Sequence, residues 1–397
     1  MPERNGGAPK PAKSSIPFSG FAHYNFSGFA FYTTKEFPDL STATNKCYNI
    51  VNTRAGPLAC VQGMSIMGAF FNMSNIVVKT PYSKPWIDYE AQIDKLRSRG
   101  LQIDDENFAK QFLSYSNYYR FTGYCLRFQY KDQHTRERVF SSNTSFSQVT
   151  DLYNIDKQLR NCISDALELI EVSFRSAVAY HFAESYGPFG HTIKDNFDRK
   201  FVHRPTGEDG KLEKSGYDIW HADLIKETER SKELFVTHFK DRYSQYPDLP
   251  IWTALEICSF GTLSKMFKNM LRVDMRPIAE RYKLQASTLD TWIHTFVYVR
   301  NICAHHSRLW DKKLSIKPQL PPGKIWDPVR NSSDKLYSIA MLLNWILAYD
   351  SFDKQEVSSW KKQFEEIMDT LFQKFPTLAG YTGFPLNWKS QKIWTLT

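Results

Sequence analysis

Paired cysteines are missing from this sequence: Cys47, Cys60, Cys125, Cys162, Cys258 and Cys303 are scattered, with no C-x-x-C and no Cys/His group at zinc-ligand spacing. A disulfide framework and a zinc site are therefore not expected, and the thiols read as reduced and mostly buried. No cluster of carboxylates and histidines has the spacing of divalent-metal ligands, which disfavours a metal-dependent nuclease. Long apolar runs are also lacking. The longest, Leu336 to Tyr349, is interrupted by Asn344 and falls short of the ~20 residues a bilayer-spanning helix needs, so it reads as a core helix. No basic segment followed by an apolar one opens the chain, so no secretory signal is expected and the cytoplasm is the expected compartment. Alternating βαβ units are absent, which disfavours a parallel-sheet enzyme.

What is abundant is aromatic and basic. The 397 residues include 29 Phe, 21 Tyr and 10 Trp, a richness that disordered chains do not show. The formal charge of +9 attracts polyanions through long-range steering and counterion release, which makes nucleic acid a reasonable partner.

Residues 1–80 differ from the rest: rich in Gly, Ser, Asn and Phe and without helical periodicity, they read as a low-order tail. Ordered patterning begins just after Met73, which suggests that residue as the true start. Residues 81–150 form an N-terminal helical region, with one helix ending at Gly100, a second capped by Asp104 or Asp105 and running toward Gly123, and a short hairpin within 126–140. The strongest helical pattern runs from Asp151 to Tyr186, where Leu152, Ile155, Leu159, Ile163, Ala166, Leu167, Ile170 and Phe174 recur at spacings of three and four. A polar insertion at 187–216 follows, then helices near 217–246, 251–271, 286–309, 333–350 and 356–375. The expected architecture is mostly α: a helical core over 151–350 and a C-terminal helix and tail over 351–397.

The chemistry concentrates in Arg300-Asn301-Ile302-Cys303-Ala304-His305-His306-Ser307-Arg308. On a continuous helix at 100° per residue, Asn301, His305 and Arg308 share a face that Arg300 can reach, and such a face suits a phosphate. Metal-free RNA cleavage needs a base for the 2′-hydroxyl, an acid for the leaving 5′-oxygen and a cation for the phosphate. Histidine titrates near pH 6.5 and fills either proton role, while arginine offers a permanent charge and a planar fork. Asn301 can orient the imidazole or the phosphate.

That segment resembles the signature helix of the Abi-like family (AbiD and AbiF types), whose Arg-x(4–6)-His motif often carries Asn second. Further blocks resemble the family in the same order: Lys84-Pro85 with Gln92 and Leu96 to Gly100; Asn117 to Tyr124; Ile170-Glu171 with Arg175 and Tyr186-Gly187; Arg230-Ser231; Leu249 to Trp252 with Glu256; Ser259 to Ser264; and Gly383 to Pro385 with Trp388. The resemblance covers about 84–388. It implies a HEPN-like helical bundle and an abortive-infection toxin that cleaves RNA without a metal or cofactor. Arg300 would bind phosphate and His305 would act as general acid/base. It also implies a homodimer and, for some members, a restraining noncoding RNA.

Two further groups keep two readings each. Arg175 and His181 also fit Arg-x(4–6)-His and can complete a composite site, or Arg175 simply pairs with Glu171 one turn earlier while His181 packs near the helix end. Tyr118-Tyr119-Arg120 can stack on bases and hold a phosphate, or it forms a packing core. His306 and Arg308 are supporting or RNA-binding candidates. A noncatalytic RNA-binding protein of a protein–RNA defence complex is the alternative to an enzyme.

Overall fold

The computed structural model describes residues 81–208 and 210–396; the tail and the Met73 start lie outside the described residues. Fifteen α-helices and one two-stranded antiparallel sheet form among the described residues, confirming a mostly α protein. Ser83–Thr397 make up one unit.

The first helix, α1 (Tyr89–Arg97), starts where the Asp88 carboxylate accepts from the Ala91 N–H. Asp105 caps α2 (Glu106–Ser116) in the same way through Phe108. The helix expected to continue toward Gly123 stops at Asn117, whose φ of 64° leaves the helical region and whose side chain caps α3 (Tyr118–Cys125). The expected hairpin is β1 (Gln129–Lys131) paired with β2 (Arg138–Phe140).

The centre of the fold is α4 (Phe146–Tyr186), 41 residues and thus about 60 Å long at ~1.5 Å per residue. Its start is set by a reciprocal capping box between Ser145 and Gln148. The periodic apolar residues expected from the sequence are buried along it. Six other helices named below, together with α3, pack against it. At its N-terminal end Phe112, Phe121 and Phe146 cluster, the last two stacked at 4.3 Å.

The segment 187–216 holds α5 (Arg199–Val202) and buries Phe197, Phe201 and His191, so the expected polar insertion contributes to the core. Two of the expected long helices are each divided. Residues 217–246 give α6 (Gly216–Arg230) and α7 (Leu234–Arg242), and 251–271 give α8 (Ile251–Ile257) and α9 (Phe260–Lys268), the second capped by Ser259. An unexpected α10 (Arg272–Arg281) precedes α11 (Ala286–Ala304). Then come α12 (Asp327–Arg330), α13 (Leu336–Tyr349), α14 (Lys354–Lys374) and α15 (Ala379–Thr382). The helices packed on α4 are α8, α9, α10, α11, α13 and α14.

The apolar α13 is buried from Leu336 to Leu347. The interrupting Asn344 is fully buried there, and its amide nitrogen donates to the carbonyls of Ile393 (2.7 Å) and Trp394, which offsets the cost of burying that donor. Among the described residues no helix is long and apolar enough to cross a membrane. Cys125, Cys162, Cys258 and Cys303 are free and buried, and burial pushes the thiol of Cys303 up to about 12, away from reactivity.

Candidate active site

Helix α11 buries Leu289, Trp292, Ile293, Phe296, Val299 and Cys303, a spacing of three and four that seats it on α4 and α9. At the edge of that face Arg300 and Ala304 turn toward α4, and Asn301 is exposed beyond them. The helix does not continue to 309 as expected; it ends at Ala304. The termination has a local cause. His306 takes φ 54°, its N–H reaches the Cys303 carbonyl at 2.9 Å, and the Ser307 N–H reaches Ile302 at 2.9 Å. These two bonds close a Schellman motif, in which the left-handed position normally carries Gly or Asn. Histidine there costs on the order of 1 kcal/mol of backbone strain.

The shared helical face of Asn301, His305 and Arg308 is therefore corrected. Asn301 is on the helix, His305 is its exposed C-cap, and Arg308 lies beyond it in the following turn. That turn is held from three sides. The Arg120 guanidinium donates to the His306 carbonyl. Arg308 donates to the Gly123 carbonyl and pairs with Asp311 at 2.7 Å, whose buried carboxylate also takes Arg127 at 2.7 Å. The third anchor, Asp156 of α4, accepts from Trp310 N–H at 2.8 Å and from Leu309 N–H at 3.2 Å.

Asp156 is fully buried and also takes the Tyr124 hydroxyl at 2.7 Å and the Arg160 guanidinium. Burial pushes this carboxyl up, while Arg160, Tyr124 and the two backbone N–H groups pull it back down. Asp156 is not among the residues that the sequence singles out. A signal existed: Asp156 and Arg160, one turn apart, interrupt the apolar stripe of Leu152, Ile155 and Leu159.

Between α4 and α11 runs a cleft of about 360 Å³. Its α4 wall is Ser164, Glu168, Glu171, Val172 and Arg175, which recur at helical spacing, and its α11 wall is Arg300 and Ala304. Glu171 bridges the two walls. One oxygen takes Arg175 Nη2 at 2.7 Å and the other faces Arg300 Nε at 3.6 Å. Arg300 Nη1 also lies 3.4 Å from Asn301 Oδ1. Arg175 is 8% exposed and donates to the carbonyls of Leu255 and Cys258, tying α8 to α4. It forms the floor of the cleft while keeping the Glu171 pairing.

His181 does not line the cleft. Six residues from Arg175, its Nδ1 lies 3.4 Å from Glu184 and its ring meets Tyr180 edge-on. Tyr118 is half-buried against the core, Tyr119 is 80% exposed, and Arg120 serves the His306 carbonyl. The structure thus places Arg300 and Arg175 on one cleft with Glu171, sets Asn301 and His305 beside and beyond Arg300 at the end of α11, and ties Arg120 and Arg308 to the turn that follows. Among the described residues no group of three or more His, Cys, Asp or Glu side chains has the arrangement of a metal site.

A long helix crossed by a second that carries an arginine on the groove and a histidine on its cap defines a mostly helical protein with an arginine-lined cleft. The model of Abi-like proteins matches residues 111–311, a span containing α4, α11 and the turn after it, and the chain belongs to this Abi-like family. Membership points to a role in abortive infection, the response that limits phage spread. No curated protein and no solved structure matches the chain significantly.

Proposed function

We propose that this protein is a metal-independent endoribonuclease acting in abortive infection, with Arg300 as the phosphate-binding cation and His305 as the general acid/base. The observation that supports it most is the end of α11: Arg300 lines the cleft and the exposed His305 leaves the helix one residue past Ala304, the last cleft residue on that wall. Backbone strain at His306, maintained by Arg120 and Asp156, is the kind of local cost that persists where geometry matters for function.

In the proposed reaction an imidazole removes the 2′-hydroxyl proton. The 2′-oxygen bonds to the adjacent phosphorus while the bond to the 5′-oxygen breaks, and an imidazolium protonates that oxygen. The products are a 2′,3′-cyclic phosphate and a 5′-hydroxyl. Arg300 stabilises the charge on the phosphoryl oxygens, and Asn301 orients Arg300 by its side-chain carbonyl. In one chain Glu168 and Glu171 offset Arg175 and Arg300. A phosphate is then better held when a second copy contributes its own Arg300 and His305, so the working form in this reading is a homodimer. A regulatory noncoding RNA would be bound in addition to substrate.

The test is cleavage of single-stranded RNA in the presence of EDTA, with His305→Ala and Arg300→Ala as controls. Product ending in a 2′,3′-cyclic phosphate is expected from the unmodified chain, with a loss of at least about a hundredfold for His305→Ala. Tight binding without product would replace this reading by that of a noncatalytic RNA-binding protein, and dependence on added metal would refute it.

A further inference from the structure

A second cavity, about 560 Å³, lies where the chain enters α1 and where α2 turns into α3. Its walls include Trp86, Tyr89, Gln92, Asn117 and Tyr118. Trp86 is 86% exposed and Tyr89 42% exposed, so two flat rings face outward beside a hollow. Deeper in, the Gln92 amide donates to the Ile87 carbonyl at 3.1 Å, but its oxygen has no hydrogen-bond partner, and neither does the enclosed Tyr118 hydroxyl. Buried polar groups without partners are uncommon and call for a reason. The Asp88 carboxylate at the rim is satisfied, capping α1 through the Ala91 N–H at 2.8 Å.

We propose that this cavity binds one unpaired nucleotide, its base stacked on Trp86 and read by the Gln92 oxygen and the Tyr118 hydroxyl. Aromatic faces accept any base, which is the usual chemistry of single-strand recognition. The location fits a strand that continues to the cleft. Helix α3 begins at Tyr118 in this cavity, and two residues later Arg120 holds the His306 carbonyl of the turn that carries His305. The nucleotide is either one residue of an RNA strand, which rests on the nuclease reading above, or a free mononucleotide, which does not.

The experiment uses the full chain in a His305→Ala background so that RNA is not consumed. Affinity for a short fluorescent single-stranded RNA is measured by anisotropy, and for AMP and GMP by calorimetry, with Trp86→Ala and Gln92→Leu as variants. Trp86 is exposed, so its removal leaves the fold intact; circular dichroism checks this for both. Weakening of RNA affinity by about tenfold in each variant is expected, with a zero-length photocrosslink from 5-iodouridine-labelled RNA mapping to Trp86 or Tyr89. If AMP or GMP binds and the same variants abolish that binding, the site stands as a mononucleotide site even where no RNA is cleaved. RNA bound equally well by both variants, or neither RNA nor mononucleotide bound at all, overturns the proposal. The first of those results leaves the nuclease reading intact.

Discussion

Replacing Asp156 by alanine tests how the turn carrying His305 is held. The substitution removes the acceptor for the N–H groups of Leu309 and Trp310 and for Tyr124, and it leaves Arg160, whose side chain is 4% exposed, without its carboxylate. Breaking a buried pair by deleting one partner costs roughly 3–5 kcal/mol. At about 2 °C of Tm per kcal/mol for a domain of this size, thermal unfolding followed by circular dichroism should fall by about 6–10 °C. The double variant Asp156→Leu/Arg160→Leu removes both charges and should recover much of that loss, because an apolar pair replaces a desolvated one. It does not restore the acceptor for the turn. Hydrogen exchange at Leu309 and Trp310 should therefore stay fast in the double variant while global stability returns, and RNA cleavage measured well below Tm should stay reduced. Single-variant loss below about 1 kcal/mol, or wild-type exchange at those two amides, would refute the anchoring role.

Other consequences follow from the cleft and from a buried histidine. Glu171→Gln keeps the shape of the bridge between Arg175 and Arg300 but removes its charge; RNA affinity should tighten by roughly threefold to tenfold at low salt while turnover falls as Arg300 loses its guide. Unchanged or weaker binding in filter assays would mean that phosphate does not meet Arg300 here. His191 is 1% exposed, and burial, helped by the nearby His221, lowers its pKa from 6.5 to about 4. The unfolded chain then binds the proton more readily, so stability is fully present above pH 6.5 and declines as pH falls toward 4, by up to about 3 kcal/mol. His191→Phe should flatten that part of the stability profile in urea unfolding; an equal slope in both proteins would show that other groups set it.

Much of this arrangement was legible in the order of residues, and what was not has physical reasons. The periodic apolar residues of α4 and the fully apolar α13 announced themselves because burial on one face or all round leaves a repeat. The start of α4 was misplaced by a few residues although Ser145 and Gln148 carried its capping box. The break at 231–233 went unseen because no glycine or proline marks it, and the break at Cys258–Ser259 although Ser259 carried the cap of α9. Helix α10 escaped notice since it contains Pro277 and few apolar residues. In the site, Arg300, Asn301 and His305 stood out as polar residues on an apolar helix, and the pairing of Arg175 with Glu171 was one of two readings considered for that arginine. Asp156 is 153 residues from Leu309, and no local pattern reveals a partner at that distance. The tasks of Arg120 and Arg308 were hidden for the same reason, since each depends on a carbonyl contributed by a remote segment.

The left-handed residue at His306 bears on how the interval between arginine and histidine can vary. Within an unbroken helix, each residue added between them would swing the ring by about 100° around the axis and carry it off the groove. A ring mounted on the cap escapes that constraint only for a residue added after Ala304, which enlarges the exit turn and leaves the direction of Arg300 untouched. A residue added between Arg300 and Ala304 would still turn the ring relative to the cation, whereas a change upstream of Arg300, inside the regular part of α11, would rotate cation and ring together away from α4.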